Sequence, residues 1–187
     1  MDTQVKNTEI SFDTTPHARQ LYNVVLQGFG YKMTDALGDI EDNSIDAKAR
    51  NITVVFKQAP GRKNKVTGGA YVEAIWIIDD GRGMGPAMLE KSLIFSTFVT
   101  HAEGSLGHFG AGGSAASFSI ANDKMVLTKE ADGPLLVAWL SVDSFDESGS
   151  FANTGRRRPA SPKEKKFFME ELGISKKDYP SSHGTII

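Results

Sequence analysis

Apolar residues recur along this chain with two different periods, and the switches between them divide it into elements. In residues 16–29, Ala18, Leu21, Val24, Val25 and Phe29 follow a helical repeat, closed by Gly28 and Gly30. A second helix is predicted from Thr34, an N-cap before Asp35, with Ala36, Ile40, Ile45 and Ala47 among its apolar positions. Residues 51–57 are β-branched and strand-like, residues 58–69 read as a Gly/Lys/Asn-rich loop, and residues 71–80 as a central strand. A helix over 86–95 and a glycine-studded stretch follow, then a small, apolar and therefore buried helix near 111–121. Strands over 124–129 and 135–142 form a hairpin around Ala131, Asp132 and Gly133. Residues 144–162 read as a polar loop, and Ser161 and Pro162 start a helix that Gly173 ends.

Helices first, then strands and helices mixed, predict an α/β two-layer sandwich, a mixed sheet with helices on one face. The length of 187 residues suits one domain, over 16–187, behind a polar arm at 1–15. The final residues, 184–187, start a strand and stop, which suggests a piece of something longer.

Composition narrows the chemistry. The net charge of −2 supplies no global field for nucleic acid or membrane, so such a contact would need a local patch. Cysteine is absent, which removes disulfides and thiolate metal sites, and the four histidines lack metal-ligand spacing. No stretch approaches the roughly 18 apolar residues that span a bilayer, and no signal peptide is visible. The expected location is intracellular, nuclear in a eukaryote and otherwise cytoplasmic.

Three segments carry candidate chemistry. Asp39, Asn43 and Asp46 fall on one face of the second helix, and a row of carboxylate and amide oxygens suits Mg²⁺ as well as a solvated surface. Asp79 and Asp80 end an apolar strand and lead into Gly81, Arg82, Gly83 and Met84, where glycines let backbone approach a flat ligand. Asp-Gly is also an ordinary turn pair. The third segment, residues 104–114, holds five glycines before an apolar helix, a polyphosphate cradle without the Gly-Lys-Ser/Thr of a P-loop. Gly110, Gly112 and Ala115 also fit GxGxxA, with Glu130 twenty residues on, but no solid strand precedes them as a dinucleotide site requires.

Together the segments resemble the GHKL superfamily: gyrase, the MutL mismatch-repair proteins, histidine kinases and the ninety-kilodalton heat-shock chaperones. Residues 42–47 (DNSIDA) match its N-box, 79–84 (DDGRGM) its DxGxG box, 107–112 (GHFGAG) its second glycine box, and Gly184-Thr185 its terminal GT box. The nearest similarity is to the MORC ATPases and to chromatin ATPases with an SMC-type hinge, through residues 109–113 and the insert carrying Arg156, Arg157 and Arg158.

The resemblance implies roles. Asn43 would hold Mg²⁺ between the phosphates of ATP, and Asp79 would accept the adenine amino group, with Gly83, Met84 and Thr185 completing the base pocket. Residues 96–106 would form a lid, and backbone around Gly107, Phe109, Gly110, Gly112 and Gly113 would wrap the phosphates. The general base, a glutamate in the superfamily, is here Asp39, one methylene shorter, which implies slow hydrolysis. It also implies ATP-driven dimerisation, a downstream transducer domain, and a place in a DNA- or chromatin-associated machine. Alternatives are a non-hydrolysing regulatory module, a chaperone-type ATPase and the kinase branch, for which no phosphoacceptor helix is visible. The arginine run at 156–158 reads first as a solvated loop and alternatively as a phosphate-backbone contact to nucleic acid.

Overall fold

A computed structural model describes residues 17–30, 32–94 and 112–187. The elements are α1 (Ala18–Phe29), α2 (Met33–Asp46), β1 (Ile52–Lys63), β2 (Ala70–Asp79), α3 (Pro86–Lys91), α4 (Gly112–Ile120), β3 (Asp123–Lys129), β4 (Leu136–Ser141), α5 (Asp143–Ser148), β5 (Arg156–Pro159), α6 (Pro162–Glu171) and β6 (Gly184–Ile186). The strands form one sheet in the order β1-β2-β6-β3-β4-β5. The last strand therefore closes the middle of the sheet, and its three residues bridge two hairpins.

The α/β class holds, with two corrections of detail. Every described ladder is antiparallel, so the sheet is not mixed. Its face under α1 to α5 buries Val126, Leu136, Ala138 and Leu140 with Tyr22, Leu89, Phe118 and Phe145, and Ile77 with Ala36, Ile40 and Ala116. The opposite face is not bare. Ile78, Leu127, Val137 and Ile186 pack there against Phe168 of α6 and the segment that follows it. The two-residue period of the strands sets this division, odd and even positions facing different helices. No helix among the described residues is long and apolar enough to cross a membrane.

Local chemistry explains most boundaries. Gly30 ends α1 in the left-handed region at φ 57°, and Gly173 follows α6 at φ 64°. A full capping box starts α6: Ser161 Oγ accepts from the Glu164 N–H, and Glu164 accepts from the Ser161 N–H. Helix α2 begins at Met33, before the expected Thr34 cap, and Lys32 gives no side-chain cap.

Two segments read as loops are partly regular. Residues 58–63 extend β1, because β2 offers a pairing partner and register shifts at Lys57/Gln58 and Gln58/Lys63 absorb Pro60 and Gly61. Asn64 then makes the turn, its Oδ1 accepting from the Val66 and Thr67 N–H groups. The polar stretch 144–162 contains most of α5 and all of β5, an edge strand on β4.

Phe145 is fully buried, with its ring centroid 5.5 Å from that of Tyr22 and 4.8 Å from that of Phe151. It is the apolar anchor that α5 shares with α1. Phe145→Ala is expected to cost about 3–5 kcal/mol in denaturant unfolding, and a loss below about 1 kcal/mol would contradict that anchoring role.

Candidate nucleotide site

The strand register brings three polar side chains into one row. Asp79 of β2 lies opposite Thr185 of β6, and Thr185 lies opposite Thr128 of β3. Their places in the strand alternation put all three on the helix-covered face, and each is buried. Polar atoms there must be paired, and they are. Asp79 Oδ2 accepts from Ser44 Oγ at 3.0 Å and Oδ1 from the Gly81 N–H at 2.9 Å. Thr128 Oγ1 accepts from the Met84 N–H at 3.0 Å, and lies 3.0 Å from Thr185 Oγ1 and 3.1 Å from the Gly184 carbonyl oxygen.

Those bonds tie the sequence motifs together. Ser44 sits on α2 one residue after Asn43, so the helix carrying the amide is bonded directly to the carboxylate of residue 79. Met84 and Thr185 meet through Thr128. Asn43 itself is exposed, and its Nδ2 donates to the Asp39 carbonyl oxygen at 2.8 Å. The other atom of the amide, Oδ1, is an oxygen of the kind a hard cation prefers. Asp39 is half-buried one turn earlier on the same helix.

Glycine is required where the row meets the turn. Gly83 has φ +70°, and a Cβ there would lie 1.9 Å from the Lys129 carbonyl oxygen. A Cβ on Gly81 would lie 2.8 Å from Asp79 Oδ1 and 2.9 Å from Ala47 Cβ. The DxGxG pattern is thus a steric consequence of packing this turn against β3 and the end of α2.

The two neighbouring carboxylates have opposite fates. Burial pushes the Asp79 carboxyl above its ordinary range, and the bonds from Gly81 and Ser44 offset only part of that. Burial also pulls Asp80 upward, but donors from Asn51 and Arg50 outweigh it and hold this carboxyl low. Asp80 faces the start of β1, accepting from both Asn51 donors and the Arg50 N–H, and so clamps the turn between α2 and β1.

Sequence reasoning missed four residues that build the site. Ser44 and Thr128 make the bonds just described. Lys129 is buried on the other face, where Nζ donates to the carbonyl oxygens of Pro180 and Ser182 at 2.8 and 2.9 Å and so holds the loop leading into β6. His183 lies with Nδ1 2.7 Å from the Gly81 carbonyl oxygen. Strand alternation contained a usable signal for Thr128 and Lys129, since Val126 and Leu127 assign the faces of β3. Ser44 had none, because nothing local distinguishes it from other helical serines.

Other expectations divide. Gly107, Phe109 and Gly110, with the expected lid at 96–106, lie outside the described residues. Gly112 and Gly113 open α4, which packs against α2. The dinucleotide alternative fails on topology. It needs a parallel strand after the helix, whereas β3, which follows α4, is antiparallel to both of its neighbours. The arginine run forms β5, with Arg157 paired to Glu90 at 2.8 Å and Arg158 held by both oxygens of Glu164 at 2.8 and 2.9 Å. Arg156 bonds the carbonyl oxygens of Asn153 and Gly155.

The raised Asp79 carboxyl carries a consequence for stability. Its protonated form favours the fold fully below the unfolded-state value near 3.8, and that contribution drains away as pH rises through the higher folded-state value. Above it the buried charge is a cost. In the absence of ligand, Asp79→Asn is therefore expected to match or exceed the wild type in stability at pH 7, with the difference shrinking toward pH 4. A deficit above about 2 kcal/mol at pH 7, the scale of a lost buried hydrogen bond, would contradict this.

Comparison with known proteins agrees with the geometry. No curated protein sequence matches the chain. The profile of one family, described as histidine kinase-, DNA gyrase B- and HSP90-like ATPases, matches residues 31–165. That span contains Asn43, Asp79 and the glycine segment, and stops before Thr185, which the sheet alone returns to Asp79. A match over most of the chain, joined to this convergence of α2, the DxGxG turn and β6, places the protein: it belongs to the histidine kinase-, DNA gyrase B- and HSP90-like ATPase family.

Proposed function

We propose that this chain is an ATP-binding, slowly hydrolysing switch module of a larger DNA-associated machine. The observation carrying the proposal is the buried row of Asp79, Thr185 and Thr128, sealed beneath α2 by Ser44. Both Asp79 oxygens already accept hydrogen bonds, and carboxylate oxygens have lone pairs to spare. A ligand group meeting this site satisfies it by donating, as the exocyclic amino group of adenine does. Gly81 and Gly83 let the turn pack against β3 and the end of α2, which fixes the carboxylate that would meet the base.

The remaining roles follow the family pattern residue by residue. Asn43 Oδ1 would hold Mg²⁺, and backbone N–H groups in residues 107–113 would receive the phosphates. Bound Mg²⁺–ATP supplies a phosphoanhydride whose cleavage needs an activated water. Asp39, a turn before Asn43, would take that water's proton. Aspartate reaches one methylene less far than the glutamate usual at this position, and a displacement of about 1 Å can cost on the order of 100-fold in rate. Nucleotide thus acts chiefly as a conformational signal, with dimerisation as the response it would drive.

Two measurements test this. With a non-hydrolysable ATP analogue and Mg²⁺ at a hundred times its dissociation constant, thermal stability should rise by about 2.7 kcal/mol. Asp79→Asn should lose most of that gain while remaining folded, and an undiminished gain would remove Asp79 from the base site. Single-turnover hydrolysis should quicken on the order of 10- to 100-fold in Asp39→Glu with nucleotide affinity unchanged. An unchanged rate would favour a module that binds nucleotide without hydrolysing it.

A further inference from the structure

The hairpin of β1 and β2 extends well past the body of the sheet. Pairing from β6 reaches β2 only at Ile78 and Asp79, with a further pair of bonds between Ile77 and Ile187. Residues 70–76 have no strand beyond them among the described residues, and β1 is the outer strand of the sheet. At about 3.3 Å per residue the free ribbon is roughly 20 Å long. From Pro60 to Glu73 every residue except Asn64 is exposed, including Val66, Tyr71 and Val72. This part contributes nothing to the core.

Its charge runs against the rest of the chain. Lys57, Arg62, Lys63 and Lys65 face a single carboxylate, Glu73, so residues 57–73 carry +3 while the remainder carries −5. None of these four cations forms an ion pair among the described residues. Two are braced instead on rings: Lys57 Nζ lies 4.0 Å from the Trp76 ring centroid, and the Arg62 guanidinium 4.4 Å from that of Tyr71. Bracing orders the stems and lowers the entropy lost when the charges meet a partner. A shallow cleft of about 410 Å³ runs along the tip, lined by Arg62, Lys63 and the backbone of Gly61, Gly68 and Gly69. Guarding free strand edges needs only isolated charges. It does not explain four cations of one sign along one ribbon, three of them, Arg62, Lys63 and Lys65, at its tip.

We propose that this ribbon is a docking element for duplex nucleic acid, its four cations contacting backbone phosphates. A two-stranded ribbon is of a size that the major groove of DNA, about 12 Å wide, admits. The charge balance selects a polyanion, and contacts to backbone phosphates carry no sequence information, so binding is largely independent of sequence. The inference supplies the surface for the DNA association proposed above and does not depend on nucleotide.

The test is fluorescence anisotropy of the whole chain with a labelled 25-base-pair duplex of mixed sequence, without nucleotide, from 50 to 200 mM KCl. Four phosphate contacts predict a slope of log affinity against log salt of about −3.6. Arg62→Gln/Lys63→Gln/Lys65→Gln should flatten it by about 2.7 and weaken binding at least tenfold at 100 mM salt. Arg157→Gln/Arg158→Gln, on the far edge of the sheet, should leave both unchanged. Should the triple variant fail to fold, Lys63→Gln/Lys65→Gln, at exposed positions on either side of Asn64, should flatten the slope by about 1.8. Equal loss in the ribbon and β5 variants, no binding at 50 mM salt, or displacement of the duplex by phosphatidylserine vesicles at matched charge would overturn the proposal. The stability gain with ATP analogue, measured on the same variants, is expected to be untouched. Its absence in the wild type would count against the nucleotide site and not against the ribbon.

Discussion

A carboxylate inside a protein must be paired or it destabilises the fold. Asp79 satisfies that constraint with one donor from a distant helix and one from the turn that follows it. Ser44 brings α2 down onto the sheet, and the Gly81 N–H bends the chain sharply after β2. Once that turn is made, Gly83 lies against the Lys129 backbone, and no side chain fits there. The family's DxGxG spacing is therefore the outcome of one buried acid, the donors that keep it tolerable, and the crowding they create.

The short strand β6 is the other half of the arrangement. Three residues inserted between two hairpins make one continuous sheet and set Thr185 between Asp79 and Thr128. So short a ladder needs support from outside. Lys129 holds the approach through the Pro180 and Ser182 carbonyl oxygens, while Ile186 is gripped in the core beneath α6. The helix on the second face thus serves the site indirectly, by fixing the strand that brings Thr185 home. Burial lowers the tendency of Lys129 to hold its proton, and carbonyl dipoles around Nζ stand in for the water it lost.

Charge is distributed with the same economy. The arginines of β5 stand out in the sequence, yet two of them are committed to carboxylates on α3 and α6 and act as struts. The Arg158–Glu164 pair also joins β5 to the capping box of α6, and that bond holds Glu164 down at about 2, helped by the Ser161 donors. The cations of the β1–β2 ribbon attract less notice, being spread through what reads as a loop. None of them forms an ion pair among the described residues.

The local signals in this sequence were sufficient for most of the fold. Local patterns located five of the six helices among the described residues, and glycine and capping chemistry ended α1 and α6 near where they end. Asp79, Gly83 and Asn43 stood out because carboxylates, amides and glycines sit where an apolar pattern stops. The extension of β1, the edge strand β5 and the second-face packing of α6 were not legible, since each depends on a partner far along the chain. Neither was the site's completion. Thr185 lies opposite Asp79, and Thr128 opposite Thr185, only because an antiparallel register aligns residues more than fifty positions apart. Short-range patterns determine which residues are able to be polar, small or buried. Long-range pairing alone decides which of them meet, because the hydrogen bonds and burial that reward the meeting do not exist until the sheet has closed.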